Sequence, residues 1–184
     1  MALREKLYTL DEFHAFVERP ENKNRLFELI NGEIVEKVAS FTPSRIALRI
    51  GHLFATYLDQ HDIGYVTGAD GSYILSPAYE VMPDVGYISK ERLPQEPERA
   101  VEGPPDLAVE VKSPTDSKRE LRQKAEVYLR FGTKIVWLVF PDEQRVEVYV
   151  PDDDVREFDM NGTLDGGEVL PGFALPVSQI FPAS

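Results

Sequence analysis

The run from Ile135 to Phe140, IVWLVF, has no polar residue. It lies between Gly132 and the breaker pair Pro141-Asp142 and is rich in β-branched and aromatic side chains. Such a short run is a strand buried on both faces, in the middle of a sheet. RVEVYV follows across PDEQ and completes a hairpin. Trp137 and the aromatics around it therefore belong to a core, not to an exposed stacking platform for bases.

The rest of the chain supplies helices and further strands. Thr9 and Glu12 form a capping box, and Leu10, Phe13 and Val17 share a stripe, which predicts a helix over Thr9–Glu18. Asn31-Gly32 between two apolar runs predicts a hairpin with strands at about 25–30 and 33–38. A second helix is predicted from Pro43, capped by Thr42, to about Gln60, with Ile46, Ile50, Leu53, Phe54, Tyr57 and Leu58 on one face. YVTGADGSYILSP reads as strands broken at the Gly68–Gly71 turn, and VMPDVGYIS as one strand entered through Pro83. A loop over about 91–103 leads to a strand in PPDLAVEVKSPTD. Ser117 with Glu120 opens a third helix that runs to Phe131 and stops at Gly132. The tail, NGTLDGGEVLPGFALPV, holds short strands or turns. The expected class is α/β (α+β mixed), in one domain over 1–184.

Composition narrows the chemistry. There are no cysteines, which removes disulfides, thiolate zinc sites and cysteine nucleophiles and fits a reducing, cytoplasmic setting. The start, MALREKLYTLDEF, lacks the apolar run of a signal peptide, and no segment is long and apolar enough to span a membrane. A formal charge of −12 argues against tight nonspecific binding to nucleic acid, while leaving room for a local basic face and supplying oxygen ligands for a hard cation. His14, His52 and His61 have no metal-ligand spacing; no GxSxG elbow or GxxxxGK loop occurs; Asp152-Asp153-Asp154 lacks the spacing of a calcium loop.

The strand in PPDLAVEVKSPTD raises the functional question. Leu107, Val109 and Val111 point one way, and Asp106, Ala108, Glu110 and Lys112 the other. The polar side is either a solvated face or a site. If the strand carrying Asp84 pairs with it, Asp84 and Glu110 meet, and two carboxylates together call for a cation or a proton. Lys124 falls inside the apolar stripe of the third helix, Leu121, Ala125, Tyr128 and Leu129. It either pairs with Glu110 or extends along the stripe's margin to water. Lys118 and Arg122, in KRELRQK, are either a phosphate-facing surface or a solvated face paired with Glu120 and Glu126.

Pro83-Asp84 … Glu110-Val111-Lys112 resembles the PD-(D/E)XK nuclease signature. With FELINGEIVE, VMPDVGYIS, QKAEVYLRFG and KIVWLVFPD in this order, the chain resembles the Uma2 family from about Tyr8 to Ile180. The resemblance implies a restriction-endonuclease-like core, a mixed central sheet flanked by helices, with the N-terminal helix and hairpin added. It implies metal-assisted hydrolysis of DNA by a homodimer. Asp84, Glu110 and the carbonyl of Val111 would hold Mg²⁺ or Mn²⁺, with Glu28 completing the site or standing as an exposed hairpin carboxylate. Lys112 holds the motif position; where relatives have an apolar residue there, a helix lysine, matched by Lys124, takes over. The family often has a histidine near the start of the second helix, where this chain has Arg45. The competing reading is a module that keeps the fold but binds protein or nucleic acid without cleaving it.

Overall fold

The computed structural model describes residues 6–181. In chain order the helices are α1 (Leu10–Val17), α2 (Phe41–Leu58), α3 (Lys118–Arg130) and α4 (Val177–Ile180). The strands are β1 (Leu26–Ile30), β2 (Glu33–Lys37), β3 (Gly64–Thr67), β4 (Tyr73–Ser76), β5 (Tyr79–Val81), β6 (Val85–Ser89), β7 (Val101–Glu102), β8 (Leu107–Val111), β9 (Ile135–Phe140), β10 (Arg145–Tyr149), β11 (Arg156–Phe158), β12 (Thr163–Gly166) and β13 (Leu170–Pro176).

The main sheet has the order β11-β10-β9-β8-β6-β3, and β9 lies inside it with all six residues buried, as its continuous apolar sequence predicts. β8 and β9 are parallel, with α3 as the crossover between them. A second sheet, β2-β1-β5-β4-β7, carries the N-terminal hairpin, and β12-β13 form a ribbon. The hairpin turns where both Asn31 and Gly32 have positive φ (52° and 79°), the backbone that Asn-Gly favours.

α2 and α3 cover opposite faces of the main sheet. Ile46, Ile50 and Phe54 of α2 join Leu107, Val109, Val111 and Trp137 in one core cluster. Leu121, Ala125 and Tyr128 of α3 join Ala108, Val136 and Leu138 in the other. Both capping boxes form, at Thr9 and at Ser117.

Three local expectations change. α2 begins at Phe41 behind Ser40, not at Pro43 behind Thr42, so that Pro43 is the third helical residue, still in the first turn, where a missing N–H costs nothing. VMPDVGYIS is not one strand. The chain leaves the second sheet at Val81 and enters the main sheet at Val85, with Pro83, which cannot donate to a ladder, at the crossing. Asp84 thus sits where the two sheets diverge. Lys118 and Arg122 pair with Glu143 (2.6 Å) and Glu147 (2.6 Å), across the sheet and not along the helix.

Candidate active site

β8 explains why a carboxylate stands on a strand between apolar neighbours. Both faces are buried, so the polar side is not a solvated face; Glu110 is 6% exposed. Asp106 caps the strand's start, accepting from Ser89 N–H (2.8 Å) and Arg92 (2.8 Å). Glu110 faces α3. Lys124 Nζ lies 2.8 Å from its Oε1, and Tyr128, one helical turn on, donates its hydroxyl to the same oxygen at 2.8 Å. The inward lysine is therefore paired, as its place in the apolar stripe demands.

Lys124 also donates to both oxygens of Glu28 on β1, at 2.9 Å each. Glu28 is 5% exposed and accepts from Met82 N–H at 2.6 Å, which excludes its reading as an exposed hairpin carboxylate. β6 and β8 are antiparallel with Val85 opposite Val109, so Asp84 continues that register toward Glu110. The ladder between these strands stops there, and the next free N–H on β8, that of Val111, goes to Asp84 Oδ2 at 2.8 Å. Asp84 Oδ1 receives Lys37 Nζ at 3.1 Å, and Lys37 also donates to Met82 C=O at 2.6 Å.

Three carboxylates thus converge on two ammonium groups. Burial pushes Glu110 up to about 7; Asp84 and Glu28 add to the rise, and Lys124 and Lys37 oppose it. Burial alone would lower Lys124, but Glu110 and Glu28 outweigh it and hold the ammonium firmly charged. Burial first, then Glu110, raises Tyr128, which stays a neutral donor.

Lys112 lies just past the end of β8. Its N–H still pairs with Val139 C=O (2.9 Å), but its ammonium turns to Ser113 C=O (2.9 Å) and joins none of the three carboxylates. Lys37 and Tyr128 were not singled out by sequence reasoning. Tyr128 shows only as part of an apolar stripe, and Lys37 closes a strand 47 residues before its carboxylate. Among the described residues no three His, Cys, Asp or Glu side chains gather as a metal-binding set. Oxygen donors are what the cluster offers, and carboxylate and carbonyl oxygens are the type of ligand that a hard divalent cation takes.

Removing the Tyr128 hydroxyl tests the local balance. Tyr128→Phe is expected to cost about 1–3 kcal/mol, the loss of a buried bond to a charged acceptor. It should also raise the Glu110 pKa further, because the donor favours the ionised form. Thermal melting and a carboxyl-resolved NMR titration read the two effects.

A family model described as "Putative restriction endonuclease", that of Uma2, matches residues 10–178. The chain belongs to the Uma2 family. A crystal structure from Anabaena variabilis ATCC 29413, described as "a putative nuclease belonging to DUF820", superposes on this Uma2 chain with a TM-score of 0.78. The two are 24% identical, over 94% of this chain and 97% of the other, a likeness that carries the fold. A search of curated proteins found no match. The nuclease-type fold is thereby established, and the family description supports nuclease-like function. Among the described residues no helix is long and apolar enough to cross a membrane.

Proposed function

We propose that this protein is a divalent-metal-dependent endonuclease that hydrolyses DNA phosphodiester bonds, working as a homodimer so that two sites can cut a duplex. The observation that carries the reading is the convergence of Asp84, Glu110 and Lys124 where the two sheets diverge. Asp84 and Glu110, with the carbonyl of Val111, would hold Mg²⁺ or Mn²⁺. The ion would polarise the phosphate and lower the pKa of the attacking water.

The chain's own groups do the rest. Glu28 grips Lys124 through both oxygens, which fixes the ammonium beside Glu110. From there Lys124 orients the water or stabilises the charge that grows on phosphorus-bound oxygens. We assign it the working role over Lys112, whose ammonium lies outside the cluster. Tyr128 holds the Glu110 carboxylate in one orientation.

A pH dependence follows from Glu110. The fold raises its pKa from 4.5 to about 7, so across that window the folded protein keeps a proton the unfolded chain has shed. Stability without metal therefore falls as pH rises from 4.5 toward 7 and levels off above. Metal needs the ionised carboxylate, so Mn²⁺ affinity should drop about tenfold per pH unit below that value. Calorimetric titration between pH 5.5 and 8 checks it; a flat profile would remove Glu110 from the ligands.

The charge of −12 favours a second reading, a module that binds without cleaving. On α3, Lys118 and Arg122 pair with Glu143 and Glu147, which neutralises the charge that those two residues would offer a phosphate. Incubation of supercoiled plasmid and of single-stranded DNA with Mg²⁺ or Mn²⁺ separates the two readings. Metal-dependent cutting that Asp84→Asn abolishes supports the nuclease. Metal binding without cutting of any nucleic acid supports the module.

A further inference from the structure

Lys37 and Lys124 both sit among the carboxylates, but they are held differently. Lys124 is held by both oxygens of Glu28, at 2.9 Å from each, besides Glu110. It can surrender Glu110 and stay in place. Lys37 has one carboxylate oxygen, Asp84 Oδ1 (3.1 Å), and a neutral carbonyl, Met82 O (2.6 Å). It is the last residue of β2, the edge strand of its sheet, and its side chain is 19% exposed. Asp84 Oδ2 already accepts the main-chain N–H of Val111, so Lys37 holds the oxygen that carries no main-chain bond to β8.

We propose that Lys37 is a displaceable counter-cation: its ammonium occupies Asp84 Oδ1 in the metal-free protein, and a divalent ion must take that oxygen from it. The inference rests on the metal-dependent reading above. Lys37 thereby acts through Asp84, as a positioning residue. It keeps Asp84 and Glu110 from repelling each other before metal arrives, and its long flexible stem lets it leave without moving the backbone. Its presence lowers metal affinity, because each binding event must break an existing charge pair. Lys124, by contrast, stays fixed through both states.

The test is Mn²⁺ binding by calorimetry to wild type, Lys37→Met and Lys37→Arg at pH 8, without nucleic acid. The expected result is about tenfold tighter binding by Lys37→Met, the scale of one close opposite charge, and near-wild-type binding by Lys37→Arg. Lys37→Met should also melt lower than wild type without metal and gain more on adding it. A residue that merely packs would lower the melting temperature and leave the affinity unchanged. Equal or weaker affinity in Lys37→Met overturns the inference alone. No binding by wild type or by either variant overturns the metal-dependent reading as well. Should Lys37→Met fail to fold, Mg²⁺ titration of wild type followed through the lysine ammonium NMR signals decides the matter. The Lys37 signal must shift on saturation while that of Lys124 persists; an unmoved Lys37 signal overturns the inference.

Discussion

Glu110→Gln is expected to abolish metal binding and DNA cleavage while leaving the fold intact. The amide still offers an oxygen to Tyr128 and matches the carboxylate in shape, and Lys124 keeps both oxygens of Glu28. What is lost is the one charge on β8 that faces Asp84 across the antiparallel pair. Outer-shell changes at metal sites cost about 10–100-fold in affinity, so removal of the carboxylate proposed as a direct ligand should cost more than about a hundredfold. Cleavage should fall by about a thousandfold or more, beyond the loss of a single preorganised donor. The stability change has a distinctive pH signature. Wild type loses stability between pH 4.5 and about 7, where the unfolded chain sheds a proton that the folded carboxyl still holds, and the variant has no such loss. Melting curves at pH 5 and pH 8 should differ less for Glu110→Gln than for wild type, and calorimetry with Mn²⁺ reads the binding.

Lys124→Met has the larger effect on stability. It leaves Glu28 and Glu110, both buried, without their shared cation. Breaking a buried pair by removing one partner costs about 3–5 kcal/mol. Part of this is recovered by protonating Glu110, so the loss should shrink at low pH. Cleavage should disappear even where the variant is folded and binds metal. Lys112→Ala is the contrast. Its ammonium holds only a neighbouring carbonyl, so stability should change by less than about 1 kcal/mol and cleavage should survive. Denaturant unfolding of both variants, beside plasmid cleavage, measures these outcomes; loss of cleavage in Lys112→Ala alone would reverse the roles of the two lysines.

Much of this arrangement is legible in residue order. Asn31-Gly32 marks its hairpin because the turn needs two positive φ angles. IVWLVF marks a strand buried on both faces because no position in it tolerates water. Lys124 betrays itself as an inward charge between Leu121 and Tyr128, and Asp84 and Glu110 follow from the pairing of two strands. The parts that stay hidden depend on where elements end. Reading VMPDVGYIS as one strand misses that Pro83 divides it between two sheets, which is what places Asp84 at their divergence. Lys112 has the right parity to join Glu110, but β8 ends at Val111 and the lysine turns aside. Lys37 gives no local sign, because its position depends on how the edge of one sheet meets the end of a strand in the other. Tyr128 reads as a core residue and is one; only its hydroxyl belongs to the site.

Anomalous diffraction from a crystal of the protein soaked in Mn²⁺ at pH 8 tests the central claim most directly. A peak between Asp84 and Glu110, with Lys124 still on Glu28, is the result predicted. A protein that cuts DNA with Mn²⁺ but shows its peak elsewhere, or none between these two carboxylates, would contradict the account.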